Sequence, residues 1–154
     1  MEGYSIREFQ NTLFGNVRGM LINGEPWFIG MDVAMALGYK DTDQALRKNV
    51  NDSDKLTRPV DGSGQSRNMI FINESGLYSL VFSSRMPNAK VFTHWVTSEV
   101  LPTMRRIGFD NAMRLLNEEN ARLNMQNNQL QQDLNNEKAH TEWLNNYILG
   151  NMIG

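Results

Sequence analysis

The sequence predicts an α+β protein, in which small antiparallel β-hairpins pack with four short helices in a winged-helix-like core and a C-terminal coiled-coil helix follows. Three observations predict this class. Short apolar runs separated by turn residues come first, capped amphipathic segments follow, and residues 111–149 contain neither Gly nor Pro but repeat leucine at seven-residue spacing. We therefore expect two domains, residues 1–108 and residues 109–154.

The composition is that of a soluble globular protein, with 40% hydrophobic and 21% charged residues among 154. The absence of Cys excludes disulfides and thiolate metal sites and fits a reducing cytoplasm. The longest apolar runs, such as WFIG, are too short to cross a bilayer. The opening MEGYSIREF has no cationic start followed by an apolar block, so no secretory signal is expected.

The N-terminal part is predicted to form short β-strands. FQNTLF, NVRGMLI and WFIG are apolar runs of strand length. Asn23 and Gly24, between the second and third runs, both tolerate the positive φ of a type I′ turn. We therefore expect a β-hairpin around these two residues.

Two short helices are predicted next. Asp32 is a suitable N-cap for VAMAL, and Gly38 is a suitable terminator after it. The Asp41, Thr42 and Asp43 cluster would cap the second helix. Three apolar residues of that helix would face inward: Ala45, Leu46 and Val50.

A hairpin and two further helices complete the predicted core. The hairpin has arms at 56–60 and 67–72 and a glycine-rich tip, DGSGQS. Asn73 would cap the third helix. In the fourth helix, Pro87 is expected in the first turn, Pro102 is expected to kink or interrupt the helix, and Gly108 is expected to end it.

The C-terminal segment is predicted to oligomerise through a heptad seam. The seam residues are Leu116, Asn120, Leu123, Asn127, Leu130, Leu134, Leu144 and Ile148. Leucine at d and Asn at two a positions favour a short parallel coiled coil, because misregistered pairings would leave the amides unpaired. The alternative is that this helix folds back on its own domain. The apolar end around Trp143 and Tyr147 would cap the coiled coil or dock a partner.

No arrangement for catalysis or for binding a metal or cofactor is present, so we predict that the protein is not an enzyme. His94 and His140 are far apart and lack Cys partners. The GSG at 62–64 lacks the Lys and the helix of a phosphate-binding loop. Asp52 and Asp54 are better explained as turn-capping residues.

Helix, turn, helix and hairpin is also the order of a winged helix-turn-helix, which makes DNA a possible partner. The second helix would then enter the major groove, and the hairpin would contact the backbone. The residues predicted to contact DNA or a repressor are Thr42, Gln44, Arg47, Lys48, Lys55, Arg58 and Arg67. The alternative is an ordinary helix pair with a solvated outer face.

The charge balance weakens the DNA interpretation. Residues 1–110 carry twelve basic and twelve acidic side chains, and the whole chain has a net charge of −2. Neutralising phosphates normally requires a basic excess. Asp41 and Asp43 would also lie at the helix end that approaches the phosphates.

Residues 8–108 resemble the Bro-N domain of baculovirus repeated-ORF proteins and phage antirepressors. The motifs that carry the resemblance are NGEPWF, DVA, LGY, NESGLY and EVLPTMRRIG, in this order. The resemblance implies nucleic-acid binding or antirepressor activity in the cytoplasm of a bacterial host. Many phage antirepressors have a second folded domain after Bro-N, where this chain has only the heptad segment.

Together these observations favour an antirepressor that binds a phage repressor protein as a homodimer or homotetramer and without a cofactor. Electrostatic complementarity would raise the association rate, and dimerisation would match a repressor's two-fold symmetry. The alternative is a dimeric DNA-binding transcriptional regulator that uses residues 32–50 and the hairpin at 55–72.

Overall fold

A computed structural model describes residues 5–154 and contains a five-stranded antiparallel sheet. The strands are β1 (Arg7–Asn11), β2 (Gly15–Ile22), β3 (Glu25–Ile29), β4 (Lys55–Gly62) and β5 (Gln65–Asn73). Their order across the sheet is β1-β2-β3-β5-β4, so the last hairpin joins the first three strands through β5. The α+β class is confirmed, and the predicted hairpin is an integral part of one sheet.

The helices follow the predicted order. They are α1 (Gly30–Ala36), α2 (Thr42–Asn49), α3 (Glu74–Ser83), α4 (Ala89–Trp95) and α5 (Leu101–Met152), with a π-helical turn at Val96–Val100 between the last two. No helix in the described part, residues 5–154, is long and apolar enough to span a membrane. The first four residues, where the sequence predicts no secretory signal, lie outside the described part.

The β2–β3 connection is the predicted type I′ turn. Asn23 has φ 52° and Gly24 has φ 78°, and Ile22 pairs with Glu25 across the turn. The expected strand FQNTLF is only partly right, because β1 ends at Asn11. Its side-chain Oδ1 accepts the backbone N–H groups of Leu13 and Phe14, which turns the chain into β2.

The two faces of the sheet carry separate apolar clusters. On one face, Val17, Phe28 and Ile72 pack with the helices in the main core. The other face carries the second cluster, which comprises Met20, Ile22, Trp27, Ile29, Val60 and Phe71. Because side chains alternate along a strand, neighbouring residues such as Phe71 and Ile72 contribute to different clusters. Both faces of β3 and of the C-terminal end of β5, at Phe71 and Ile72, are therefore buried.

Asp32 does not cap α1, contrary to the prediction. The helix begins two residues earlier, and Asp32 is a buried residue of its first turn. Its carboxylate accepts three hydrogen bonds from Arg18 of β2: from the backbone N–H at 3.0 Å, from Nε at 2.8 Å and from Nη2 at 2.9 Å. The side-chain hydrogen bonds to Asp32 raise the pKa of Arg18 above its ordinary value, although partial burial opposes the change. The pair ties α1 to the sheet.

The other helix boundaries around α1, α2 and α3 agree with the prediction. Gly38 has φ 79° and its N–H donates to Met35, as expected for the residue after a helix. Asp41 caps α2 by accepting the N–H of Gln44. Asn73 caps α3 in the same way through the N–H of Gly76.

Two predictions about the fourth helix, those for Pro87 and Gly108, were wrong. Pro87 lies before α4, which begins at Ala89. At Pro102 the regular α-helix is interrupted as predicted, by the π-helical turn at Val96–Val100 directly before it, and then continues as α5. Gly108 does not end the helix, because α5 continues through it to Met152. A single internal glycine costs a long helix only about 1 kcal/mol.

The chain divides into two compact units. One unit ends at Asp110, and the other consists of Asn111–Gly154. The first unit contains the sheet, the helices up to the start of α5 and both apolar clusters. The second unit is the remainder of α5 and two further residues, and every residue of it is exposed.

Candidate interaction surfaces on α2 and α5

Helix α2 presents a polar face whose position is set by its apolar face. Ala45 and Leu46 are buried in the main core. Gln44, Arg47 and Lys48 are consequently exposed, while Thr42 is half-buried. Four of the seven predicted contact residues therefore belong to this one helix, and three of them are accessible to a partner.

Two side-chain hydrogen bonds join the turn before α2 to the end of α3. The hydroxyl of Tyr39 donates to the carbonyl oxygen of Leu80 at 2.8 Å. The hydroxyl of Ser84 donates to the carbonyl oxygen of Leu37 at 3.1 Å. Burial raises the pKa of Tyr39, so this donor keeps its proton at neutral pH. The bonds hold the connection between α3 and α4 beside α2.

A cleft of about 490 Å³ lies between this connection and α2. Its lining residues are Leu37, Gly38, Tyr39, Lys40, Asp41, Gln44, Ala45, Lys48, Asn49, Ser83, Ser84, Arg85 and Met86. Lys40, Lys48 and Arg85 have no carboxylate within 4.0 Å among the described residues. The carboxylate of Asp41 is engaged by the α2 N-cap, and Met86 provides an apolar wall. The cleft thus combines positive charge, amide groups and an apolar surface.

Sequence reasoning missed Lys40 and Arg85 as members of this surface. Lys40 lies in the turn, where the sequence gives no periodicity. In the sequence, the β4–β5 hairpin and α3 separate Arg85 from α2. The packing of α3 brings Arg85 back to α2. A local signal existed only for Lys40, which is next to the capping cluster.

The remaining predicted residues, on the hairpin, do not join the α2 surface. The Nζ of Lys55 is 3.5 Å from the carbonyl oxygen of Leu46 and 3.2 Å from Asp52, so it ties β4 to the end of α2. Arg58 lies opposite Met69, and Arg67 lies opposite Val60 in the register. These two arginines therefore project from the face of the sheet that carries the second cluster, and α2 packs on the other face.

The predicted heptad seam is exposed in the single chain. Its apolar members have exposed fractions of 39% for Leu144, 42% for Leu123, 44% for Leu134, 53% for Leu116 and Ile148 and 59% for Leu130. Asn120 and Asn127 lie between them. Glu137 and Thr141 interrupt the seam before Leu144. Association through the seam stays a prediction, because the structure contains one chain.

Aromatic side chains line one side of α5 near its C-terminal end. The ring of Trp143 stacks on His140 with centroids 6.1 Å apart and on Tyr147 with centroids 5.5 Å apart. Trp143 and Tyr147 nevertheless remain 59% and 60% exposed. The stacking orders this side of the helix but leaves most of its surface uncovered.

Among residues 5–154, no three His, Asp or Glu side chains are grouped to hold a metal ion. Residues 16–102 match the N-terminal domain of the BRO family, Bro-N. The chain belongs to the Bro-N family. The match runs from β2 to the start of α5, so it includes α2 and its cleft and excludes the heptad seam.

A bacterial protein and viral Bro-N domain-containing proteins are similar to part of this chain. An uncharacterized protein of Haemophilus influenzae is 40% identical over 85 residues, which cover 55% of this chain and 42% of the relative. The Bro-N domain-containing protein 289L of Invertebrate iridescent virus 6 is 41% identical over 101 residues, covering 54% of this chain and 24% of the relative. A second protein of that virus, 201R, is 35% identical over 120 residues, covering 63% and 29%.

The match with each of these relatives spans less than half of the relative's length. No solved structure matches this chain. The shared region therefore identifies the domain, and the activity of the whole protein is inferred from the surfaces described above.

Proposed function

We propose that this Bro-N protein is a phage or prophage antirepressor, which binds a phage repressor protein and relieves its hold on operator DNA to promote lytic gene expression. The observation that carries the proposal is the separation of the predicted DNA-reading residues. The cations of α2 and those of the hairpin, Arg58 and Arg67, lie on opposite faces of the sheet. One duplex cannot be read by a helix and a wing that point away from each other.

The character of the α2 cleft favours a protein partner. Protein interfaces are enriched in Arg, Met and aromatic residues and combine an apolar centre with a polar rim. The cleft offers Arg85 and Met86 side by side, with Lys40 and Lys48 at its edge. The equal numbers of basic and acidic residues in 1–110 also give little general attraction to phosphates.

The C-terminal helix would contribute by joining copies of the domain. A phage repressor that binds a palindromic operator has two-fold symmetry, so a homo-oligomeric antirepressor can engage both of its subunits. The second contact then benefits from a high effective concentration. The proposed activity is binding without catalysis, in the cytoplasm of the bacterial host.

The direct test is a competition experiment with a phage repressor and its labelled operator. We expect no gel shift with this chain alone and release of the repressor from the operator when the chain is added. Lys48→Glu combined with Arg85→Glu should reduce release at least tenfold, because it reverses two charges of the cleft. The matched control, Arg58→Glu with Arg67→Glu, makes the same charge change on the other face and should release repressor normally.

The exposed face of α2 supports one other candidate, direct DNA binding by a dimer. Gln44 and Arg47 are accessible and have side chains that can pair with adenine and guanine edges. In that case Arg47→Ala would weaken a specific complex by about 1–3 kcal/mol, and the logarithm of affinity would fall steeply with the logarithm of salt concentration. Operator binding by the chain alone at physiological salt would replace the antirepressor proposal with this one.

A further inference from the structure

The last three turns of α5 and the residue after it carry apolar side chains on all sides of the helix. We name these residues the apolar girdle: Trp143, Leu144, Tyr147, Ile148, Leu149, Met152 and Ile153, whose exposed fractions range from 39% to 86%. Monomeric proteins rarely leave a continuous apolar surface of this kind in water. We therefore expect the girdle to be covered in the assembled protein.

A two-stranded coiled coil cannot cover the whole girdle. In the heptad of the seam, Leu144 is at d and Ile148 is at a, so these two side chains face a partner helix. Trp143 falls at c and Leu149 at b, the outer positions of a dimer. Pairing two helices therefore leaves these two large side chains in water.

Before the girdle, the regularly spaced apolar side chains are at the a and d positions, which form the narrow apolar stripe of a two-stranded coiled coil. Several of its outer positions carry charges that pair within the helix: Arg114 Nη1 is 2.8 Å from Glu118 Oε1, and Arg122 pairs with Glu119. Asn120 at an a position penalises misregistered pairing. The segment 113–134 therefore has the pattern of a dimer.

Charge also fits a parallel pair. In a parallel dimer, a g residue faces the e residue five positions later on the partner helix. Asp133 occupies g and Lys138 occupies e, so each pair of helices would gain two contacts between opposite charges. Among the described residues neither side chain has an ion-pair partner in the single chain.

Glu137 and Thr141 separate the dimer segment from the girdle, because they place polar groups at the d and a positions between them. From residue 143 to residue 153 there is no charged side chain. Several copies of the girdle can consequently come together without like-charge repulsion, and the only charge close before it is Glu142. Two different modes of association thus follow each other along one helix.

We propose that α5 pairs in parallel over residues 113–134 and that two such pairs join through their apolar girdles, which makes the protein a tetramer built from two dimers. The occupant of each girdle is the girdle of another copy. The two exposed aromatic side chains each offer on the order of 100 Å². With the aliphatic members, four chains would bury more than about 1,200 Å², the lower limit of a stable specific interface.

The test measures the mass of the whole chain in solution, by light scattering after size exclusion and by sedimentation equilibrium. We expect four times the chain mass of 17.7 kDa. Trp143→Glu combined with Leu149→Glu should give a dimer, because both positions lie outside the pairing seam. Circular dichroism should show that the helix content is retained. Leu123→Glu, which places a charge in the seam, should abolish the pairing itself.

The matched control is Met125→Glu, which introduces the same charge at an outer position, 74% exposed, away from the girdle. This variant should remain a tetramer. A dimeric wild type at about 100 µM, well above a micromolar Kd, would overturn the proposal. So would a tetrameric or a monomeric Trp143→Glu/Leu149→Glu variant, since the girdle would then be unnecessary or would be needed for pairing. No repressor or DNA is present, so the result is independent of the antirepressor activity.

Discussion

Residues 5–110 and residues 111–154 place their large apolar side chains in opposite environments. In the first unit, Phe28, Phe71 and Phe92 are fully buried. In the second, no residue is buried, and Leu123 and Leu130 are 42% and 59% exposed. The first unit buries a core of large apolar side chains within one chain, whereas the second unit would bury its seam only through the proposed pairing with other copies. The stability of the second unit should therefore depend on protein concentration.

The two units also use polar groups differently. In the described part of the chain, Asp32 is the one buried charged residue, and its carboxylate is fully engaged by Arg18. In the second unit, Asn120 and Asn127 are exposed and would become buried only on pairing. The ion pair fixes how α1 sits on the sheet, whereas the amides would fix which helices pair and in what register.

The largest effect is expected from removing one large side chain from the core of the first unit. Phe28→Ala removes a fully buried ring and should lower the free energy of unfolding by about 3–5 kcal/mol. Denaturant unfolding followed by tryptophan fluorescence measures this change, because Trp27 and Trp95 lie in the two clusters of the first unit. Leu13→Ala, at a side chain that is 68% exposed, should change the free energy by a few tenths of a kcal/mol. Equal effects would mean that the core is not where the structure places it.

The next largest effect is expected in the second unit, on association of the helices. Leu123→Ala should weaken association of the helices by roughly 2–3 kcal/mol, the lower part of the range for buried leucine. Sedimentation equilibrium over a series of dilutions measures it. The unfolding midpoint of the first unit should not move, because Leu123 has no part in its core. A destabilised first unit would show that the two units do not fold independently.

Local chemistry explains which parts of the fold were predictable. The Asn23 and Gly24 turn and the Asp41 and Asn73 caps each depend on residues within three positions. The role of Asp32 depends on Arg18, fourteen residues earlier and on another element, so the sequence could not distinguish a buried partner from a cap. The continuation of α5 through Gly108 was missed because a weak local penalty was treated as a stop.

The same reasoning applies to the candidate site. The exposed face of α2 followed from the apolar spacing of Ala45 and Leu46. Arg85 could not be found, because only tertiary packing brings it to the cleft. The position of Arg58 could have been predicted from the sequence. It lies two residues after Leu56 and two before Val60, and residues two apart in a strand share a face.

A smaller effect is expected from the ion pair between α1 and the sheet. Arg18→Ala should cost about 2 kcal/mol, less than a completely buried pair, because the arginine side chain is 29% exposed while Asp32 loses its partner in a buried position. Thermal unfolding at neutral pH measures the loss. The raised pKa of Arg18 means that its contribution is present throughout the neutral range and is lost only at strongly alkaline pH.

Arg105→Ala is the control for that variant. Arg105 pairs with Glu74 at 3.0 Å, but its side chain is 58% exposed, so solvent screens the interaction. We expect a change of at most about 0.5 kcal/mol. If both arginines had the same effect, the bonds to Asp32 would add nothing beyond a surface ion pair.

An effect smaller than that of Arg18→Ala is expected from the hydrogen bond beside the cleft. Tyr39→Phe removes the hydrogen bond to the carbonyl oxygen of Leu80 and should cost about 1 kcal/mol. Tyr147→Phe, in the second unit, should leave unfolding of the first unit unchanged. The pKa of Tyr39 is raised by burial, so the folded state holds this proton more tightly than the unfolded state. Its contribution is therefore complete at neutral pH and is lost as the pH rises through the raised pKa. The difference between wild type and Tyr39→Phe should shrink at alkaline pH. No difference at neutral pH would mean that the ring, which both proteins have, and not the hydroxyl holds the α3–α4 connection against α2.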